Sequence, residues 1–135
     1  MAGAFLPLTQ NRDFRRLYNR GKSFVHPGLC VYTMRNRQNK VRVGITAGKK
    51  VGNAVKRNRA RRVIREGFRQ VLPQINTGVD IVFVARARTP ELKSTALIPV
   101  IAKTLSAHGY LALNSEFGVR NSEFPTRAPR NAQTQ

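Results

Sequence analysis

The sequence is poor in acidic residues. Its 135 residues include 6 Asp and Glu against 25 Lys and Arg, which gives a formal net charge of +19 at pH 7. Because like charges in a compact chain repel each other, this imbalance indicates a polyanionic partner, and nucleic acid is the obvious one. The few acids are also scattered along the chain, which leaves no carboxylate pair or cluster for acid–base or metal-dependent chemistry. A protein that cuts nucleic acid on its own is therefore not predicted.

Cysteine, histidine and long apolar runs are equally scarce. The single cysteine, Cys30, excludes an internal disulfide, and the isolated His26 and His108 give no metal-ligand spacing. We expect both histidines and all 6 acids to be surface or capping residues. No apolar run approaches the roughly 20 residues that cross a bilayer, and no secretory signal pattern opens the chain. The expectation is a cytoplasmic protein with no membrane partner.

Hydrophobic periodicity predicts one α+β domain with a small mixed sheet packed against helices. Helices are expected over residues 10–19, 53–72 and 92–107. Strands are expected over residues 29–34, 41–47 and 79–85, with a short one near 24–25, which gives the order αβββαβα. Thr9 and Asn53 are the expected N-caps, and Pro99 should begin or kink the main segment of the last helix. After residue 108 the composition turns to Asn, Ser, Gly and Pro, and a disordered tail is expected over residues 109–135.

The second predicted helix has an apolar side and an arginine side. At 100° per residue one stripe holds Ala60, Ile64, Phe68 and Val71, and another holds Asn58, Arg62, Arg65 and Arg69. The stretch of residues 49–69 contains nine Lys and Arg and a single acid, Glu66. Basic residues four apart repel by a few tenths of a kcal/mol per pair, so such a face is tolerable mainly where phosphates will meet it. Arginine, which dominates the charge, also favours RNA or DNA over an anionic membrane.

This stretch resembles the signature of the bacterial ribonuclease P protein component family. The residues that carry the resemblance are Lys49-Lys50-Val51-Gly52-Asn53-Ala54-Val55, then Arg57-Asn58-Arg59, Arg61-Arg62 and Arg65-Glu66. The resemblance continues upstream through "DFRRLYNRGKSF" and "LCVYTM" and downstream through "VDIVFVARA". A ribonuclease P protein-like domain is therefore expected over residues 1–108.

The resemblance implies the protein subunit of an endoribonuclease whose catalytic RNA removes the 5′ leader from precursor tRNA. It further implies an α/β sandwich with a left-handed βαβ crossover, one protein per RNA, no catalytic residue in the protein, and magnesium held mainly by the RNA. Asn58 is the candidate to help position a metal ion beside phosphates. The residues implied to contact the catalytic RNA and the cleavage region are Lys49, Lys50, Asn53, Lys56, Arg57, Asn58, Arg59, Arg61, Arg62, Arg65 and Arg69.

Aromatic residues form a second candidate site. Phe14 and Tyr18 lie one helical turn apart, and Tyr32 lies in the first long strand. Such residues are usually core, but the resemblance places them in a cleft between the first helix and the sheet, where the single-stranded leader lies. Cys30 is two residues before Tyr32 and would share the cleft face, although a small buried hydrophobe is its alternative role.

One alternative of another class stays open at this point. A structural RNA-binding protein of another ribonucleoprotein, such as the ribosome, would share the small size and the basic charge. It predicts stable residence in a different particle and no effect on leader removal.

Overall fold

The structure is a computed structural model that describes residues 5–111. The strands within this range are β1 Leu6–Pro7, β2 Lys22–His26, β3 Leu29–Arg35, β4 Val41–Thr46 and β5 Val79–Ala85. The helices are α1 Asn11–Arg20, α2 Ala54–Val71 and α3 Ser94–Ala107, with single 3₁₀ turns at Lys49–Val51, Leu72–Gln74 and Thr89–Glu91. None of these helices is long and apolar enough to cross a membrane.

The predicted order αβββαβα is confirmed, with the short strand β1 in front of it. β5 has its predicted bounds, and the remaining differences lie at element ends. Gln10 rather than Thr9 occupies the N-cap of α1, and no side chain caps that helix. α3 begins at Ser94 because residues 89–91 form a 3₁₀ turn first, and Pro99 is its sixth residue, so Pro99 does not begin the helix.

The five strands form one mixed sheet in the order β1-β4-β5-β3-β2. β4 runs parallel to β1 and to β5, while β3 is antiparallel to both β5 and β2. The crossover between the adjacent parallel strands β4 and β5 contains α2. The hand of this crossover stays a prediction of the resemblance.

The alternation along the strands divides the molecule into three layers. Val79, Ile81 and Phe83 of β5 belong to the core under α2 and α3, whereas Val82 belongs to a smaller core under α1. The predicted α/β sandwich is therefore present. The apolar stripe of α2 is buried as predicted, and the ring of Phe68 lies 5.4 Å from that of Phe83, centroid to centroid.

The packed region continues past residue 108. Tyr110 and Leu111 are both buried, and Leu111 forms a β-bridge with Ile75. The predicted end of the domain at residue 108 thus leaves out two core side chains. The rest of the predicted tail, residues 112–135, lies outside the described residues.

His108 is a packed residue rather than a surface one. Its Nδ1 lies 2.7 Å from Oγ1 of the buried Thr33, which ties the end of α3 to the sheet. Burial, with a smaller contribution from the charge of Lys22, lowers the pKa of His108 to about 4. The ring is therefore neutral at pH 7.

Candidate nucleic-acid interface

The exposed side of α2 carries the predicted arginine stripe. Asn58, Arg62, Arg65 and Arg69 are all exposed, on the side of the helix away from its buried apolar residues. We call these four residues the arginine face. Because the apolar stripe alone anchors α2 to the sheet, the arginine face is held in place without using its own side chains for packing.

The other predicted contacts flank the arginine face. Lys49 and Lys50 are exposed in the turn before α2, and Lys56 is exposed in its first turn. Asn53 has a structural role, since its Oδ1 accepts a hydrogen bond from the Lys56 N–H at 3.0 Å and so caps α2 as predicted.

Three arginines of the motif differ from the freely exposed ones. Arg59 Nε donates to the Pro90 carbonyl at 2.6 Å, and Arg61 Nη1 donates to Asn58 Oδ1 at 3.0 Å. Arg57 is half-buried, and its buried Nε has no partner among the described residues. Arg59 is therefore tied to the segment before α3, whereas the buried Nε–H of Arg57 has no acceptor among the described residues.

No ion pair within residues 5–111 joins a carboxylate to a cation of α2. The ion pairs there join Arg16 and Arg42 to Asp13 and Asp80, on the α1 side of the sheet. Glu66, the acid within the basic stretch, forms none of them. The arginines of α2 thus form no ion pair within residues 5–111, which suits a surface that meets phosphates.

Asn58 does not by itself provide a magnesium site. Its Oδ1 already accepts from Arg61, and its neighbours on the helix are arginines, whereas Mg²⁺ is usually bound through carboxylates and phosphate oxygens. In the part of the chain that the structure describes, no three His, Cys, Asp or Glu side chains come together. A magnesium ion near Asn58 would depend on RNA phosphates for its ligands.

The aromatic residues lie together between α1 and the sheet. The ring centroids of Tyr18 and Tyr32 are 5.0 Å apart, and that of Phe14 is 6.5 Å from Tyr18. Tyr18 is 41% exposed, while Phe14, Tyr32 and Cys30 are half-buried. We call these four residues the aromatic cleft. Cys30 lies on the Tyr32 side of β3 and is not part of either buried core.

Gly44 of β4 makes room for Phe14. A Cβ at this position would lie 2.6 Å from Phe14 Cζ, so the ring rests directly on the strand backbone. Sequence reasoning missed Gly44, whose only signal is a glycine inside an alternating strand, a position where close approach of another group is common.

The cleft presents neutral rings. Burial raises the pKa of the Tyr32 phenol, and the acidic groups of Cys30 and Tyr18 raise it further, so the phenol stays protonated at physiological pH. Neutral aromatic rings stack on any nucleic-acid base, and each such contact is worth about 1–3 kcal/mol.

A polar network beside the cleft holds α1 on the sheet. Arg42 donates from Nε and Nη2 to the two oxygens of Asp80 at 2.8 and 2.7 Å. Arg42 Nη1 also lies 3.8 Å from Asp13 of α1, which Arg16 contacts at 2.6 Å. Asp13 and Asp80 are buried, so the expectation of surface or capping acids is wrong for both.

The Cys30 end of the cleft lies beside the strand end that leads to α2. Cys30, Val84 and Thr46 are paired across three strands on the cleft side of the sheet, and the chain leads from Thr46 into the turn Lys49–Val51. Arg86, which sequence reasoning missed, places Nη1 3.7 Å from Cys30 Sγ at this end. This end of the cleft therefore has a cation, Arg86, beside it.

A mixed α+β sandwich with an arginine face on one side and an aromatic cleft on the other defines a small RNA-binding protein of a ribonucleoprotein. The chain belongs to the ribonuclease P protein family, because the family model described as Ribonuclease P matches residues 4–108. It is thereby the protein subunit of an endoribonuclease complex that also contains RNA.

Individual relatives agree with this assignment. The ribonuclease P protein component of Clostridioides difficile is 44% identical over 85 residues, which cover 62% of this chain and 75% of that protein. The solved ribonuclease P protein of Staphylococcus aureus superposes with a TM-score of 0.68 at 31% identity, covering 82% of this chain and 100% of that one. The solved ribonuclease P protein of Thermotoga maritima superposes with a TM-score of 0.64 at 29% identity, covering 73% of this chain and 94% of that one.

Proposed function

We propose that the arginine face and its flanking cations bind the RNA subunit of ribonuclease P, and that the aromatic cleft binds the 5′ leader of precursor tRNA. The RNA subunit cleaves the leader and holds the magnesium, one protein serves each RNA, and the complex acts in the cytoplasm. The observation that carries the proposal is a helix whose cations have no carboxylate partner within residues 5–111.

The charge of α2 supports binding to structured RNA. Its cations stand on one rigid helix, and folding leaves them available, since only Arg59 and Arg61 are engaged with protein oxygen atoms among the described residues. Neutralising phosphates releases counterions, and that release is the main source of affinity for such a surface.

The aromatic cleft supports binding to a single strand of varied sequence. Stacking on Tyr18 and Tyr32 requires unstacked bases but does not select among them, as an enzyme with many different leaders needs. The Cys30 end of the cleft, beside the strand end that leads to the turn Lys49–Val51, would carry the leader from the aromatic rings to the cations next to the cleavage site.

The arrangement of the carboxylates in residues 5–111 supports catalysis by the RNA. Asp13 and Asp80 are paired with Arg16 and Arg42, and Glu66 and Glu91 belong to different elements. Neither a general acid–base pair nor a carboxylate cluster results, so the protein would act by binding and orienting. The family match lends no support to the ribosomal alternative.

The test is cleavage of a precursor tRNA by bacterial ribonuclease P RNA at low magnesium, with and without the full chain. We expect strong stimulation by the protein, and none by protein alone. Unchanged rate and substrate affinity in the presence of the protein would refute the proposal.

The leader contact is tested with substrates of increasing leader length. Tyr18→Ala should weaken binding of a long-leader precursor by about 5- to 150-fold, because one stacking contact is lost, but not binding of a substrate without a leader. Tyr18→Phe keeps the ring and is the matched control. An equal loss for both substrates would mean that Tyr18 positions α1 and does not contact the leader.

A further inference from the structure

A groove of about 330 Å³ lies between α2 and residues 90–95, which lead into α3 and which we call the α3 segment. Two close approaches hold its two sides together. At one end Arg59 Nε donates to the Pro90 carbonyl at 2.6 Å, and at the other a Cβ on Gly67 would lie 3.2 Å from the Ser94 carbonyl. Arg59 and Gly67 are about 12 Å apart along the helix axis at 1.5 Å per residue. α2 is thus held against the residues that lead into α3 over the stretch of helix that lines the groove.

The lining combines an apolar floor with polar walls. Val63 and Leu92 provide the apolar part. The polar lining residues are Arg59, Arg62, Glu66, Lys93, Ser94 and Thr95. A flat heterocycle that carries a phosphate would match this composition, with its ring on the apolar floor and its phosphate near the three cations.

Glu66 is the distinctive residue of the groove. It is the single acid of the basic stretch, and it forms no ion pair within residues 5–111 although arginines surround it on α2. An unpaired carboxylate among cations would weaken a plain phosphate site. A carboxylate accepts hydrogen bonds, so Glu66 suits a ligand that carries N–H groups.

We propose that this groove binds one unpaired guanine nucleotide of the RNA partner, with the guanine edge at Glu66. Guanine offers two adjacent N–H donors, at N1 and N2, which match the two oxygens of a carboxylate. The Watson–Crick edges of adenine and cytosine offer donors only from the exocyclic amine, and that of uracil has a single N–H between two carbonyl oxygens. Unpaired nucleotides, whose Watson–Crick edges are free, are the usual targets of sequence-specific recognition in RNA.

This inference rests on the proposed function, because it takes the ligand from the RNA that the chain serves. It extends the RNA contact from α2 to Lys93, Ser94 and Thr95, beyond the basic motif. It also adds base recognition to a surface otherwise fitted for phosphates.

The experiment titrates the full chain with the 5′-monophosphates of guanosine, adenosine, cytidine and uridine and with inorganic phosphate, observed by NMR. The amides of Val63, Ser94 and Thr95 report on the groove. We expect GMP to bind about fivefold or more tightly than the other three, the lower end for one bidentate contact. Glu66→Gln should abolish this preference, since its amide presents a donor to a donor, while Glu91→Gln, an equal charge change outside the groove, should keep it.

Equal affinity for all four nucleotides and phosphate would overturn the guanine assignment and leave a phosphate site only. Shifts confined to other parts of the protein would overturn the site itself. Stimulation of precursor-tRNA cleavage is measured on the same samples. If stimulation persists without guanine preference, the groove inference alone fails, whereas absent stimulation by the unaltered chain means that the proposed function fails.

Discussion

The two faces of the sheet differ in whether the side chains that pack the core are also the ones expected to bind RNA. On the α2 and α3 face a large core buries Ile64 and Phe68 completely, and the arginine face lies on the opposite side of the same helix. On the α1 face the fully buried cluster is small, with Leu17 and Val82 among its members, and half-buried aromatic residues complete it. Substitutions should therefore separate stability from RNA binding on α2, whereas on α1 the same side chains serve both.

The largest effect on stability is expected from Phe68→Ala. Phe68 is completely buried, with the rings of Phe5 and Phe83 at 5.3 and 5.4 Å, so its removal leaves a cavity in the larger core. We expect the free energy of unfolding, from urea denaturation, to fall by about 3–5 kcal/mol. Arg69→Ala, at the exposed neighbouring residue, is the control and should change it little. A loss below about 1 kcal/mol would show that the larger core does not carry the fold.

Acid should also lower the free energy of unfolding, through His108 at the end of α3. His108 has a pKa of about 4 in the folded protein against 6.5 for a free histidine, so the unfolded chain binds the proton more readily. The stabilising effect of the neutral ring is complete above pH 6.5 and is lost as pH falls toward 4. Between pH 7.5 and 4.5 the free energy of unfolding should drop by about 2–3 kcal/mol more than in His108→Gln. Parallel pH curves for the two proteins would contradict this role.

Local signals predicted much of this fold. The cap at Asn53, the stripes of α2 and the bounds of β5 all follow from residues close in sequence, and each agrees with the structure. The element ends that were wrong, at Gln10 and Ser94, lack a capping side chain, so no local pattern marks them.

Contacts between distant residues were outside the reach of such signals. The Arg42–Asp80 pair, the Arg59–Pro90 hydrogen bond and the bond between Thr33 and His108 each join residues more than 30 positions apart. The motif placed Arg59 on the RNA surface but could not show its tie to the α3 segment. Composition likewise marked Asp13 as a surface acid, because burial with a cationic partner depends on the tertiary fold.

Gly44→Ala would disturb the α1 face without removing any aromatic ring. The new Cβ would lie 2.6 Å from Phe14 Cζ and push the ring, and α1 with it, away from the sheet. We expect a loss of about 1–3 kcal/mol in the free energy of unfolding, together with weaker binding of long-leader substrates. Gly48→Ala, where a Cβ meets nothing within 4 Å, is the matched control. Normal leader binding by a destabilised Gly44→Ala protein would show that packing and binding are separable on this face too.

The smallest effect on stability, and the sharpest contrast with the cleft, is expected from Arg65→Ala. Arg65 is exposed on the arginine face, so the free energy of unfolding should stay within about 0.5 kcal/mol of that of the unaltered protein. Arg59→Ala, in contrast, should lower it by about 1 kcal/mol, because the hydrogen bond to Pro90 is lost. We expect each variant to lose one phosphate contact and so to lower the slope of log K for RNA binding against log salt by about 0.9. Filter binding over a salt series measures the slope. If Arg65→Ala left the slope unchanged, the arginine face would not be the surface that meets the phosphates. The separation of packing and RNA binding between the two sides of α2 would then be wrong.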